Sequence, residues 1–128
     1  MRALVIDDSR AIRAIIGGIL REIGISVISA GNGQEGLEQL ERNPDVDLVL
    51  VDWNMPVMNG LDFILAVRRQ RAYDALRIMM VTTETEHEQV LRALDAGANE
   101  YVMKPFTKDI LVEKLRLAGI RFTGEAQS

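Results

Sequence analysis

The sequence predicts an α/β fold, with a doubly wound parallel sheet of five strands alternating with five helices. Three observations predict it. Short continuous apolar runs recur along the 128 residues, as strands buried on both faces require. Stretches with apolar residues at helical spacing lie between consecutive runs. The joins carry Gly, Asn and Pro, which end helices and make turns. Strands and helices in strict alternation build βαβ units with right-handed crossovers.

Ala3 to Ile6 is the first apolar run. Ile12, Ile15, Ile16, Ile19 and Ile23 then follow at helical spacing, with Asp8 or Ser9 as N-cap and Gly24 as terminator. Ile25 to Ser29 alternates, as an edge strand does. Gly33 and Gln34 open a polar helix that carries Leu37 and Leu40 inward and closes before Pro44. Asn32-Gly33 is also a hairpin signal, but no strand-like run follows it. Leu48 to Val51 is the third strand, and Asn59 caps a helix marked by Leu61, Ile64, Leu65 and Val67. Ile78 to Val81 is the fourth strand, followed by a helix with Val90, Leu91 and Leu94 that Gly97 ends. Tyr101 to Met103 is a short fifth strand, and Thr107 caps a last helix carrying Ile110, Leu111 and Leu115. The pattern fades from Gly119, so one domain is expected over residues 1–118 and a loose tail over 119–128.

Composition narrows the function classes. Hydrophobic residues at 48% and charged residues at 27% are the balance of a folded chain. There is no cysteine, which excludes disulfides, thiolate nucleophiles, zinc–cysteine sites, iron–sulfur clusters and prenyl or palmitoyl anchors. That usage suits a reducing cytoplasm, the expected location. No apolar run approaches the ~18 residues of a membrane span, and Asp7 interrupts the N-terminus before a signal-peptide core could form. A net charge of -4 argues against a nucleic-acid partner, which would ask for a basic face. A single histidine excludes a histidine-rich metal site.

In an open α/β sheet, ligands bind outside the carboxyl ends of the strands. Those ends carry Asp7 and Asp8, Asp52, Thr82 and Thr83, and Lys104 with Pro105. Each is ordinary alone, since Asp after a strand usually makes a turn or cap. If the first and third strands are the central ones, the loops after them bring three carboxylates together, beside a hydroxyl and an ammonium from the next two. Three carboxylates in one cleft repel, and one is driven toward its protonated form unless a cation intervenes. An all-oxygen donor set selects Mg²⁺, Mn²⁺ or Ca²⁺. Mg²⁺ typically takes one or two carboxylates and accepts a phosphoryl oxygen. Thr82 and Lys104 are then donors for that group. This is equipment for phosphoryl transfer, and a carboxylate can itself be the nucleophile and form an acyl phosphate. From the residues alone, phosphoryl binding stands level with an unrelated acidic pocket.

The strings VIDDSR, LVLVDWNMPVMNG, IMMVTTETE and GANEYVMKPFT together resemble the receiver domain of bacterial response regulators, from about Arg2 to Ala118. DWNMP and YVMKPFT are most similar to the stand-alone chemotaxis members. The resemblance implies the flavodoxin-like strand order 2-1-3-4-5. It implies that Asp52 is the phospho-acceptor, fed by a phosphohistidine on a sensor histidine kinase or by a small donor such as acetyl phosphate. Mg²⁺, or Mn²⁺ in its place, would be held by Asp7, Asp8, Asp52 and the backbone carbonyl of Asn54. Thr82 and Lys104 would bind the phosphoryl group, and Tyr101 would turn inward as Thr82 shifts. The Lys104–Pro105 peptide would be cis. Asn54 and Glu84 would flank the hydrolytic water and tune the lifetime of the phosphoform. The output would be a protein contact through the fourth helix, fifth strand and fifth helix, with a phosphatase as a further candidate partner. Such a protein is a signalling switch, not an enzyme with its own substrate.

Some residues depart from the enteric-type chemotaxis pattern. Glu86 and His87 stand where that pattern has a lysine pair, Thr83 where it has alanine, and Ser9 where it has an aromatic. The flagellar-switch partner of that pattern is therefore not expected to be shared, and Thr83 would narrow access. His87 reads as an exposed helix residue, and Met55, Met79, Met80 and Met103 as core filler. Other functions fit less well. A Mg²⁺-dependent aspartyl phosphatase of the haloacid dehalogenase type asks for a second Asp two residues after the nucleophile, where this chain has Asn54. A flavin module asks for a phosphate loop that Asp7 and Asp8 would repel. A receiver cut from a longer regulator is the nearer rival. A stand-alone regulator is expected, since no DNA-reading helix fits after the last helix.

Overall fold

The computed structural model describes residues 1–83 and 87–121. Glu84, whose kinetic role the resemblance implies, lies outside the described residues, as does the expected tail from residue 122.

The elements alternate as the apolar runs predict: β1 (Arg2–Ile6), α1 (Arg10–Glu22), β2 (Ser26–Ala30), α2 (Gly33–Arg42), β3 (Leu48–Asp52), α3 (Gly60–Arg68), β4 (Arg77–Thr83), α4 (His87–Ala96), β5 (Glu100–Lys104) and α5 (Lys108–Leu117). A short 3₁₀ turn at Arg71–Tyr73, which the sequence did not signal, precedes β4. The five strands form one parallel sheet in the order β2-β1-β3-β4-β5. The winding reverses between β1 and β3, which opens the crevice used by ligands in this architecture.

Alternate side chains of each strand face opposite sides of the sheet. Ala3, Val5, Leu48, Leu50, Met79, Val81 and Val102 form one core with Ile16 and Leu20 of α1 and Leu111 and Leu115 of α5. Leu4, Ile6, Val49, Val51, Ile78 and Met80 form the other with Leu40 of α2, Phe63, Ile64 and Val67 of α3, and Ala93 of α4. Hence β1 and β3 read as unbroken apolar runs. Met79 and Met80 are fully buried, whereas Met55 packs at the margin and Met103 is half-buried outside both cores.

Side-chain caps set the helix starts. Ser9, Asn32, Asn59 and Thr107 accept the N–H of Ile12, Glu35, Asp62 and Ile110 respectively, each satisfying one otherwise orphaned donor. Not every apolar residue that marks a helix is buried. Leu91, Ile15 and Ile110 are 64%, 55% and 48% exposed. The sheet covers only one stripe of each helix, and a residue beside that stripe keeps the helical period while facing water.

Packing continues beyond residue 118. Gly119 has φ 86°, and the N–H of Ile120 donates to Leu115 O at 3.0 Å. This C-terminal cap turns Ile120, only 4% exposed, back into the core.

The β3–α3 loop holds one strained residue. Val57 has φ 68°, and Met58 N donates to Pro56 O at 2.7 Å, making a γ-turn centred on a β-branched residue. Its side chain is 82% exposed and so gains little from packing. Val57→Gly is expected to raise stability by about 1 kcal/mol. Urea unfolding checks this, and a loss of stability would refute the strain.

Candidate functional site

Backbone pairing extends past the apolar residues of three strands. Asp52 pairs with Val81, Thr82 with Met103 and Thr83 with Lys104. The chemistry-bearing residues are therefore among the last two residues of their strands, except Asp7 and Asp8, which follow β1.

Asp7 is tied down by its backbone and its carboxylate. Its N–H donates to Ala30 O at 3.1 Å, its Oδ1 accepts from Ser9 N at 2.8 Å, and its carbonyl accepts from the Arg13 guanidinium. Ser9, which replaces the aromatic of the enteric-type pattern, thus links the acidic pair to the start of α1. Asp52 sits where α3 comes closest to β3. A Cβ on Gly60 would lie 2.4 Å from Asp52 O, and Gly60 N donates to Trp53 O at 3.0 Å. Only glycine permits that approach.

These elements bring the three acids together. One carboxylate oxygen from each of Asp7, Asp8 and Asp52 lies within 4.8 Å of the others. Asp7 and Asp52 are buried, at 2% and 7% exposure, while Asp8 is exposed. Lys104 Nζ reaches Asp7 Oδ2 at 3.1 Å and Asp52 Oδ1 at 3.4 Å. Its peptide with Pro105 is cis. Burial, followed by the charge of Asp7, pushes the Asp52 carboxyl up to about 6, against the pull of Lys104. Burial alone would lower the Lys104 ammonium. Its hydrogen bond to Asp7 and the charge of Asp52 outweigh that and hold its pKa above the usual lysine value.

The remaining expected residues lie around this cluster. Thr82 is buried, and its hydroxyl donates to Gln89 Oε1 at 3.3 Å. Tyr101 is half-buried at the margin of the α2–α3–α4 core. Lys114 Nζ stands 3.9 Å from its ring centroid and 3.6 Å from Glu100 Oε1. The Asn54 side chain is exposed in the loop after β3, and Thr83 is exposed beside Thr82. Sequence reasoning missed Gln89 and Lys114. A helical glutamine or lysine looks like any solvated side chain, and no local signal would have found them. A groove of about 810 Å³, lined by Met1, Pro44, Asp47, Tyr73 and Arg77, lies at the opposite end of the strands from these residues.

Comparison with known proteins places the architecture. The family model of the response regulator receiver domain matches residues 3–116. The chain belongs to the response regulator receiver family. A chemotaxis protein CheY homolog of Campylobacter jejuni is 45% identical over 116 residues, covering 90% of this chain and 89% of that protein. The chemotaxis protein CheY of Pseudomonas aeruginosa is 38% identical, over 97% of this chain and 100% of its own. The solved chemotaxis response regulator CheY4 of Vibrio cholerae matches with a TM-score of 0.84 and 35% identity, over 91% of this chain and 97% of its own.

Receiver domains are signalling modules rather than classical enzymes. CheY-like receivers take phosphate from a histidine kinase and bind downstream targets. Receiver domains bind Mg²⁺ at an acidic pocket, and the donor set here fits such an ion. It offers three clustered carboxylates, one of which is held toward its protonated form by burial and its neighbour's charge. An all-oxygen set of this kind suits a hard cation. Among the described residues, no helix is long and apolar enough to cross a membrane.

Proposed function

We propose that this receiver is a stand-alone, phosphorylation-driven switch acting in chemotaxis or a related motility pathway in the cytoplasm. The observation that carries it is the buried Asp52 carboxylate at the end of β3, flanked by Asp7 and Asp8 and contacted by Lys104. The receiver unit expected over residues 1–118 extends to Ile120, whose buried side chain belongs to the core.

The chemistry follows from the chain's own groups. An Asp52 carboxylate oxygen attacks the phosphorus of a kinase phosphohistidine. The P–N bond breaks with its electron pair left on the imidazole nitrogen, and an acyl phosphate forms. Lys104, kept cationic by its acidic neighbours, pairs with a phosphoryl oxygen. Asp7, Asp8, Asp52 and the Asn54 backbone carbonyl would hold Mg²⁺ or Mn²⁺. That ion would neutralise the carboxylates and the charge on the incoming phosphoryl group. Thr82 donates its hydroxyl to the phosphoryl group, and Tyr101 repacks in response, reshaping the α4–β5–α5 face for a downstream protein. Water attack on phosphorus returns Asp52 and inorganic phosphate. Asn54 and Glu84 would tune the phosphoform to a short lifetime, which a phosphatase would shorten further.

Trp53, the sole tryptophan and next to Asp52, is the reporter. Its fluorescence should respond to Mg²⁺, then to acetyl phosphate, and should revert as the donor is exhausted, with a transient phosphoryl mass gain. In Thr82→Ala the mass gain should persist while the response at Tyr101 weakens. A wild type that gains no phosphoryl mass would overturn the reading.

A further inference from the structure

A buried hydroxyl needs a partner, because folding has stripped it of water. The Thr82 hydroxyl is such a group. Thr82 is 1% exposed, at the penultimate position of β4, beside the strand that ends in Asp52. Its partner is not one of the acids. It donates to Gln89 Oε1, 3.3 Å away, on the third residue of α4. Gln89 is itself half-buried, so water does not fully replace either group's partner.

A threonine hydroxyl has one proton to give. It can be directed at Gln89 or at a phosphoryl oxygen on Asp52, and good geometry with one forfeits the other. We infer that Gln89 is the resting-state acceptor of the switch hydroxyl, so that it competes with the phosphoryl group for that proton and sets how far phosphorylation shifts the switch. The inference rests on the reading of Asp52 as phospho-acceptor and adds a positioning residue to it.

Two consequences follow. Release of Thr82 leaves Gln89 Oε1 without its partner in a half-buried place. The first turn of α4 must then rearrange or admit water, which links the hydroxyl's choice to the position of that helix. The strength of the Thr82–Gln89 bond also holds the switch back. A neutral hydrogen bond of this kind shifts such a balance by about 2- to 10-fold.

Beryllium fluoride with Mg²⁺, a tetrahedral mimic of the phosphoryl group, tests this in a four-protein cycle. Its apparent affinity is read from Trp53 fluorescence in wild type, Gln89→Leu, Thr82→Ala and the double variant. Gln89→Leu keeps the side chain's bulk and removes the acceptor; Gln89→Ala guards against a packing artefact. Both are expected to tighten binding about 2- to 10-fold in the Thr82 background and to change nothing in the Thr82→Ala background. In the ligand-free protein, three-bond couplings of the Thr82 methyl should show one rotamer in wild type and several in Gln89→Leu. Unchanged affinity and rotamer, or an equal change in both backgrounds, would overturn the role of Gln89 while leaving the phospho-acceptor reading intact. A wild type that binds no more mimic than Asp52→Asn would overturn both.

Discussion

Asp52→Asn is expected to abolish phosphoryl incorporation from acetyl phosphate and, in metal-free buffer, to make the folded protein more stable at pH 7.5. The first effect is all-or-none, because asparagine offers no carboxylate nucleophile. The second follows from the environment of Asp52. Its carboxyl is raised from 3.8 to about 6, first by burial and then by the charge of Asp7. The folded state therefore holds this proton more tightly than the unfolded chain does. The stability this group contributes is fully present below its unfolded pKa of 3.8 and is lost as pH rises through about 6. Above that, the ionised carboxylate destabilises the fold by up to about 3 kcal/mol. Asparagine resembles the protonated acid, so the difference between variant and wild type should open between pH 4 and 6 and stay level above 7. Urea unfolding of both proteins in chelator at pH 4.5 and 7.5 measures it. A variant less stable than wild type at pH 7.5 would show that Lys104 more than compensates the acids. Mg²⁺ should narrow the gap, since a cation bound by the folded wild type stabilises it by mass action.

Arg68→Met should lower stability by about 2–4 kcal/mol. The Arg68 guanidinium ties four acceptors from two segments, residues 73–76 and 97–99. Its Nε donates to Gly97 O at 3.0 Å, one terminal nitrogen to Tyr73 O at 2.7 Å, and the other to Leu76 O at 2.7 Å and Asn99 Oδ1 at 3.0 Å. Asn99 Oδ1 also accepts from Ile78 N at 2.8 Å, which joins the network to the start of β4. A Cβ at Gly97 would lie 2.6 Å from Arg68 Cγ, so glycine leaves room for the side chain to pass. Methionine keeps much of the apolar stem but removes every donor, leaving part-buried carbonyls short of partners. Arg68→Lys should recover little, because a lysine cannot reproduce the planar fork. Chemical denaturation of the three proteins decides this, and a loss under 1 kcal/mol in Arg68→Met would show that water replaces the guanidinium.

The order of elements was legible because periodicity is local. The unbroken runs at Ala3 to Ile6 and Leu48 to Val51 became the buried stretches of β1 and β3; the caps at Asn59 and Thr107 lie where the sequence puts them, and Ser9 is the one taken of the two it offers for α1. The acids, Thr82 and Lys104 could be picked out at strand ends, since a parallel sheet gathers those ends on one edge. Resemblance, not periodicity, supplied the strand order that the structure shows.

What the residues alone left open concerns pairing across distance. Nothing local distinguishes Leu91, 64% exposed, from Val90, 7% exposed, because both carry an apolar signal one residue apart and only the sheet decides which faces it. Nothing local says that Thr82 gives its proton to Gln89, that Lys114 covers Tyr101, or that Arg68 gathers carbonyls up to 29 residues away. By itself the sequence determined the alternation of strands and helices, some of their caps, and a set of charged and hydroxyl side chains destined for one edge. The tertiary structure alone decided which of those groups touch. Side-chain geometry over a few ångströms depends on how elements cross and pack, and that information is shared among residues far apart in the chain.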